Sequence, residues 1–296
     1  MRIYLDCFPC FMRQALEAAR MATDDPRVQR EVLDRTAELL PTIPMDAIPV
    51  DIGQLVHRIV REVTGVPDPY EGVKQGSNDR ALSLYPTLKA QVERSDDPLL
   101  AALKIAGAGN IMDFGPNLAL DPDRSIDRVM NDSLTQALNE PLDHAQYRAF
   151  QGKLADIEKI IYLGDNAGEI VFDKILIEEL VRRGKGVTFV VRGSPIINDA
   201  TMDDARYVGM EEVATVITNG SDAVGTSLSD CSPEFRAVFQ SAEMIVSKGQ
   251  GNFEGLSDIP GPIFFLFKVK CPVVAREVGA RIGTLVLKGQ TLEGGR

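Results

Sequence analysis

The chain has 296 residues, 44% of them hydrophobic and 25% charged, with a formal net charge of -11 at pH 7. That length can bury one large core or two ordinary ones. The acidic surplus excludes a nucleic-acid backbone or an anionic membrane surface as the main partner, and a small anionic substrate would need a local basic pocket.

The opening MRIYLDCFPC has no apolar signal core, and charge or glycine interrupts each later apolar run well before bilayer width, so the expected compartment is the cytoplasm. Within that opening, Asp6-Cys7-x-x-Cys10 could bind a soft metal or act in redox chemistry. A structural zinc site needs two more ligands, and the histidines are His57 and His144. Thiols at the start of a helix are the plainer reading. Four cysteines are too few for a disulfide scaffold, and Cys231 and Cys271 read as ordinary thiols.

Apolar residues then recur at helical spacing over residues 11–21, 28–40, 55–63, 81–92 and 99–105, which makes the first half helical. The Gly-rich break AGAGNIMDFG follows, with Asn110 and Asp113. It suits either a loop reaching over a site or a glycine-capped helix end. After an Asp/Pro-rich loop the pattern changes. From about residue 155, the short runs IEKIIYL, VTFVV, VATVI, EMIVS and TLVLK alternate with helical stretches such as 170–183 and 233–241. The expected fold is α/β: a helical part over 1–145, then an α/β/α domain over 146–296 with a mostly parallel sheet.

Three strand ends carry the chemistry. In IIYLGDNAGEI a strand delivers Asp165 and Asn166 before a helix bearing Glu169. A hard-oxygen pair at that edge suits Mg²⁺ or Mn²⁺, and an Asx turn with an N-cap satisfies the same letters. In TFVVRGSPIINDAT, Asp199 either meets Asp165 and Asn166 at one cation or caps the next helix, while Arg192 faces substrate oxygens or pairs with a surface acid. In EMIVSKGQGNFEGL, Lys248 and its glycines suit a phosphate cradle, although the order is not that of a Walker loop.

Together GDNAGE, RGSPIINDAT and SKGQGNFE resemble the metal-dependent damage-control phosphatase family, also known as domain of unknown function 89. CFPC, DPY at 68–70 and GNIMDFG look like its microbial branch. The resemblance implies a helical N-terminal part joined to a Rossmann-like α/β/α domain. It also implies a divalent cation (Mn²⁺, Mg²⁺, Co²⁺ or Ni²⁺) held by Asp165, Asn166 and Asp199. Glu169, Lys248 and Asn252 fall in motifs that line the substrate site, with Lys248 set to neutralise a phosphoryl oxygen. A lysine that contacts substrate late in the eukaryotic chains has Arg276 as its candidate replacement here.

The expected activity is hydrolysis of small phosphorylated metabolites, with no nucleic-acid or membrane partner. Asp165, Asp199 and Lys248 are the candidate catalytic residues, and Glu169, Arg192, Asn252, Asn110 and Asp113 the candidate substrate contacts. Either an aspartate nucleophile or metal-activated water would serve the reaction. A non-catalytic sensor of nucleotides or phosphometabolites could use the same pocket, and a redox or metal-delivery protein would centre on the CxxC.

Overall fold

The structure is a computed structural model, in which residues 1–109, 138 and 140–290 are described. Asn110 and Asp113 lie outside them. Five helices open the chain: α1 (Cys7–Ala22), α2 (Pro26–Leu39), α3 (Pro49–Thr64), α4 (Glu71–Glu93) and α5 (Pro98–Ala108). Proline at the first helical turn and an aspartate cap set two of the starts. Asp25 accepts from the Arg27 amide and Asp97 from that of Leu100. Gly65, at φ 69°, closes α3 in the left-handed region.

Helix α4 begins ten residues before its apolar repeat. Its first half buries Lys74 and Asn78 where an ordinary core helix buries apolar side chains. Hydrophobic periodicity therefore misses that half. Helices α1–α3 pack on one another around Phe11, Ala15, Val32, Ile52, Val56 and Val60.

The second half contains α6 (His144–Ala155), β1 (Lys159–Leu163), α7 (Glu169–Arg182), β2 (Gly186–Val191), α8 (Met202–Tyr207) and β3 (Thr215–Thr218). It continues through α9 (Pro233–Gln240), β4 (Ile245–Lys248), α10 (Gln250–Leu256), β5 (Ile263–Lys268), α11 (Pro272–Val278) and β6 (Leu285–Gly289). The strands form one sheet in the order β3-β2-β1-β4-β5-β6. Five run parallel, and β6 pairs antiparallel with β5. The five expected runs are all in this sheet. β5, IFFLFK, is an addition: it is buried along nearly its whole length, so its apolar run has no alternation to mark it as a strand.

Alternate strand residues feed two cores. Ile160, Tyr162, Phe189, Val246 and Leu266 face α4, α5, α6 and α7, whereas Leu163, Val190, Ile245 and Phe265 face α9, α10 and α11. Because α4 and α5 share the first of these cores, the boundary expected near residue 145 separates elements that pack together. Chain order reverses between β1 and β4, so the crevice at their carboxyl ends is the topological switch point of the sheet.

Candidate active site

Each loop at the switch point is held in a conformation its sequence makes possible. After β1, Asp165 and Asn166 lie on a segment paired with the chain after β2. The Ala167 amide donates to the Asn198 carbonyl and the Ala200 amide to that of Asp165, both at 2.8 Å, bridging Asn166 to Asp199. This bridge puts two carboxylates and an amide side by side. Ile197, two residues before Asp199, has φ 45°, which is rare for a β-branched residue and a place where strain is stored.

The capping alternatives for these residues are not realised. Gly168 stands at the N-cap of α7 without a side-chain cap, and α8 is capped by Thr201 and Asp204 in a capping box. After β4, Gly249 adopts φ 80° and ψ 157°, and a Cβ placed on it would fall 2.0 Å from Asp165 Oδ2. Only a glycine admits that carboxylate so close to the β4 loop. Gly168, also at φ 80°, donates its N–H to Asn78 Oδ1 at 2.6 Å. Asn78 in turn donates to Asp204 at 3.0 Å, so one amide on α4 braces both the loop after β1 and the first turn of α8.

Asp165, Asn166 and Asp199 open onto a cavity of about 360 Å³ between the sheet edge and α1 and α3. Of the other expected site residues that are described, Glu169, Arg192, Lys248 and Asn252 do not line it. Lys248 is fully buried, and its ammonium donates to Glu169 Oε1 at 2.6 Å, Asp173 Oδ1 at 2.6 Å and the Ala106 carbonyl at 2.8 Å. With three donors and three protein acceptors it has no N–H for a phosphoryl oxygen, which corrects the phosphate-cradle expectation.

Glu169, equally buried, is occupied by Lys248 and by Asn166 Nδ2 at 3.2 Å, so it is not a substrate contact here. Asn252 donates to the carbonyls of Gly164 and Lys248 and accepts from Thr226, and thus clamps the ends of β1 and β4 together. Arg192 lies beneath the carboxylates. Its Nε donates to Asp199 Oδ2 at 2.6 Å and its Nη2 is 3.8 Å from Asp165 Oδ1. Arg192 does pair with acids, but they are the buried Asp199 and Asp165 and not the surface acid expected.

Electrostatics explain why these groups are layered. Asp165, Glu169, Asp173 and Asp199 place four carboxylates in the buried group against the two cations Arg192 and Lys248. Burial, Glu169 and Asp199 together push the Asp165 carboxyl well above the ordinary range, opposed by Lys270 and Arg192. Burial also raises Asp173, to about 6, despite its contact with Lys248. For Lys248 burial acts to lower the pKa, but Asp173 and Glu169 outweigh it and raise it.

The excess of buried carboxylates over buried cations in this group is what a divalent cation at Asp165 and Asp199 would offset. Two carboxylates and an amide oxygen are also hard donors of the kind Mg²⁺ and Mn²⁺ accept. Among the described residues no three His, Cys, Asp or Glu side chains are grouped to hold a metal without such an amide. The donor set therefore fits a cation bound partly by protein and partly by other oxygens.

Sequence reasoning missed the cavity's own cations. Lys270 and Arg13 line its walls, with Gln14, Gln250 and Glu254 as neutral or acidic neighbours. Lys270 sits two residues beyond β5, the strand that the sequence pattern did not register. Arg276 is instead on the outside, paired with Asp6 and placed over the Tyr4 ring. Cys7, Cys10 and Cys271 line the cavity too, so the thiols belong to its wall.

Fold and site together define an α/β protein with an oxygen-donor centre at the switch point of a mostly parallel sheet. The chain belongs to the damage-control phosphatase family: residues 3–286 match the damage-control phosphatase ARMT1-like domain. It is 35% identical to a damage-control phosphatase of Archaeoglobus fulgidus, over 97% of this chain and 99% of that one. It is 36% identical to an uncharacterized protein of Methanocaldococcus jannaschii, over 97% and 95% of the two chains. The crystal structure of a DUF89 family protein from Pyrococcus horikoshii superposes with a TM-score of 0.88 at 32% identity, covering 98% of this chain and all of that one.

Proposed function

We propose that this chain is a divalent-metal-dependent phosphatase that hydrolyses small phosphorylated metabolites in the cytoplasm. The substrates in view are sugar phosphates, phosphorylated cofactor precursors and damaged metabolites. One observation carries the reading: Asp165, Asn166 and Asp199 lie together at the switch point, under a cavity whose walls bear Lys270 and Arg13. The phosphatase action in the name of the Archaeoglobus relative supports the same reaction class.

Asp165, Asn166 and Asp199 would hold the cation. When bound, a divalent cation supplies Lewis-acid polarisation of the phosphoryl oxygens. The chain's own residues do the rest. Lys270 and Arg13 offset the charge of a phosphomonoester dianion at the wall, and Gly249 lets the Asp165 carboxylate come forward against the β4 loop. A cavity of about 360 Å³ lies at the small end of ligand sites, which supports a metabolite over a macromolecular phosphoester. Among the described residues no helix is long and apolar enough to cross a membrane.

The test is a panel of phosphate esters assayed for phosphate release with Mg²⁺, Mn²⁺, Co²⁺ and Ni²⁺ in turn. The expected result is turnover of at least one ester with at least one cation, abolished by chelation. Stoichiometric binding of the esters without release under all four cations would replace the phosphatase by a sensor.

A further inference from the structure

We infer that Lys248 and Asp173, neither of which lines the cavity, determine which end of the Asn166 amide faces a bound cation. The inference rests on the proposed reading that Asp165, Asn166 and Asp199 hold a divalent cation. An amide has one end that can ligate, Oδ1, and one that cannot, Nδ2. Both ends have nearly the same shape, and a half-turn about the terminal torsion exchanges them, so neighbouring hydrogen bonds must make the choice.

Those neighbours form a directed chain. Asn166 Nδ2 donates to Asp165 Oδ2 at 3.1 Å and to Glu169 Oε2 at 3.2 Å. Glu169 Oε1 is taken by Lys248 at 2.6 Å, and an ammonium has donors only. The far side of that carboxylate is thereby kept as an acceptor toward Asn166. Lys248 is fixed in its turn by Asp173 Oδ1, which also accepts from the Tyr162 hydroxyl at 2.7 Å, and by the Ala106 carbonyl in the last turn of α5. Gly109 lets α5 approach this group, since a Cβ there would fall 2.7 Å from Glu169 Cγ. Lys248 and Asp173 are positioning residues: they act on the cation through Glu169 and then Asn166.

Positioning and charge give opposite signs in one variant, which makes the idea testable. Lys248→Met removes a positive charge near the cation, so charge alone tightens Mn²⁺ binding. Loss of the directed chain instead frees Glu169 and Asn166 to reorient and weakens Mn²⁺ binding by about 10–100-fold, the usual effect of losing a group that orients metal ligands. The measurement is Mn²⁺ titration calorimetry on the folded full chain, with circular dichroism as the check on folding. The Mn²⁺ dependence of turnover should move upward by the same factor, while KM for an aryl phosphate at saturating Mn²⁺ stays within about twofold because Lys248 does not touch substrate.

Equal or tighter Mn²⁺ binding overturns the inference. So does a tenfold rise in KM with Mn²⁺ affinity unchanged, which would return Lys248 to direct phosphate contact. Should Lys248→Met fail to fold, the double variant Lys248→Met/Asp173→Asn decides. Its changes cancel in charge, so charge alone leaves Mn²⁺ affinity as in the parent, whereas positioning still weakens it. A parent chain that binds no divalent cation sinks the metal reading itself, an outcome distinct from a binding parent with an unaffected variant.

Discussion

Replacing Gly249 by alanine isolates the steric basis of the site. The new Cβ would lie 2.0 Å from Asp165 Oδ2, where contacts under 3.0 Å essentially never occur. The carboxylate must therefore retreat by about 1 Å, a displacement of the size that costs about a hundredfold when catalytic geometry is at stake. The backbone contributes separately: φ 80° with ψ 157° is nearly glycine-only territory, at about 1–3 kcal/mol for a side-chain-bearing residue. Calorimetric Mn²⁺ titration should show affinity reduced about 10–100-fold, alongside a lowered melting temperature. Gly65→Ala is the control. It bears the positive-φ penalty at φ 69° with nothing within 4 Å of its new Cβ, so it should lose stability and keep Mn²⁺ affinity. Gly249→Ala binding Mn²⁺ within twofold of the parent would refute the close-approach argument.

Asp199→Ala should abolish Mn²⁺ binding and also cost about 3–5 kcal/mol in denaturant unfolding, because it removes the carboxylate hydrogen-bonded to the buried Arg192 guanidinium and leaves only Asp165 at 3.8 Å; a stable variant with parental Mn²⁺ affinity would contradict both roles. Lys270→Met should lower kcat/KM for a phosphomonoester by about 10²-fold with Mn²⁺ affinity less affected, the loss typical of one electrostatic contact; parental kcat/KM would remove Lys270 from the substrate wall. Arg276→Ala should leave kcat/KM within about twofold, since its pair with Asp6 is on the surface; a loss near tenfold would restore it as the substrate-contacting cation. Burial raises Glu254 to about 7, above its unfolded value, so its contribution to stability is present below the unfolded pKa and lost as pH rises through 7. Glu254→Gln should therefore melt higher than the parent at pH 8 and show little of that gain at pH 4, and an equal gain at both would rule out this linkage.

The sequence made the sheet legible wherever a short apolar run ended in glycine and polar residues, because those letters mark both a strand end and its turn. It was silent at β5, where burial removes the alternation, and at the start of α4, where Lys74 and Asn78 take the place of apolar residues. The same division runs through the site. The strand-end motifs pointed to Asp165, Asn166 and Asp199, whose backbones the bridge between the β1 and β2 loops joins. Depth was not legible: Lys248, Glu169, Arg192 and Asn252 belong to the right loops but lie behind the cavity wall, because a motif records proximity in the chain and not which side chain finds a protein acceptor first. Nor could any local pattern bring Arg13 of α1 to the same cavity as Lys270 beyond β5, since that placement depends on how α1 and α3 pack over the sheet edge.

The most direct test of the account is phosphate release by the chelator-stripped chain as Mn²⁺ is added back, run beside Asp165→Asn, which keeps the side chain's shape and removes its charge. The account predicts no turnover in the stripped parent, saturable recovery with Mn²⁺, and at least a hundredfold lower kcat/KM in Asp165→Asn, on the order of one lost electrostatic contact or more. Undiminished turnover in the stripped parent, or a fully active Asp165→Asn, would contradict it.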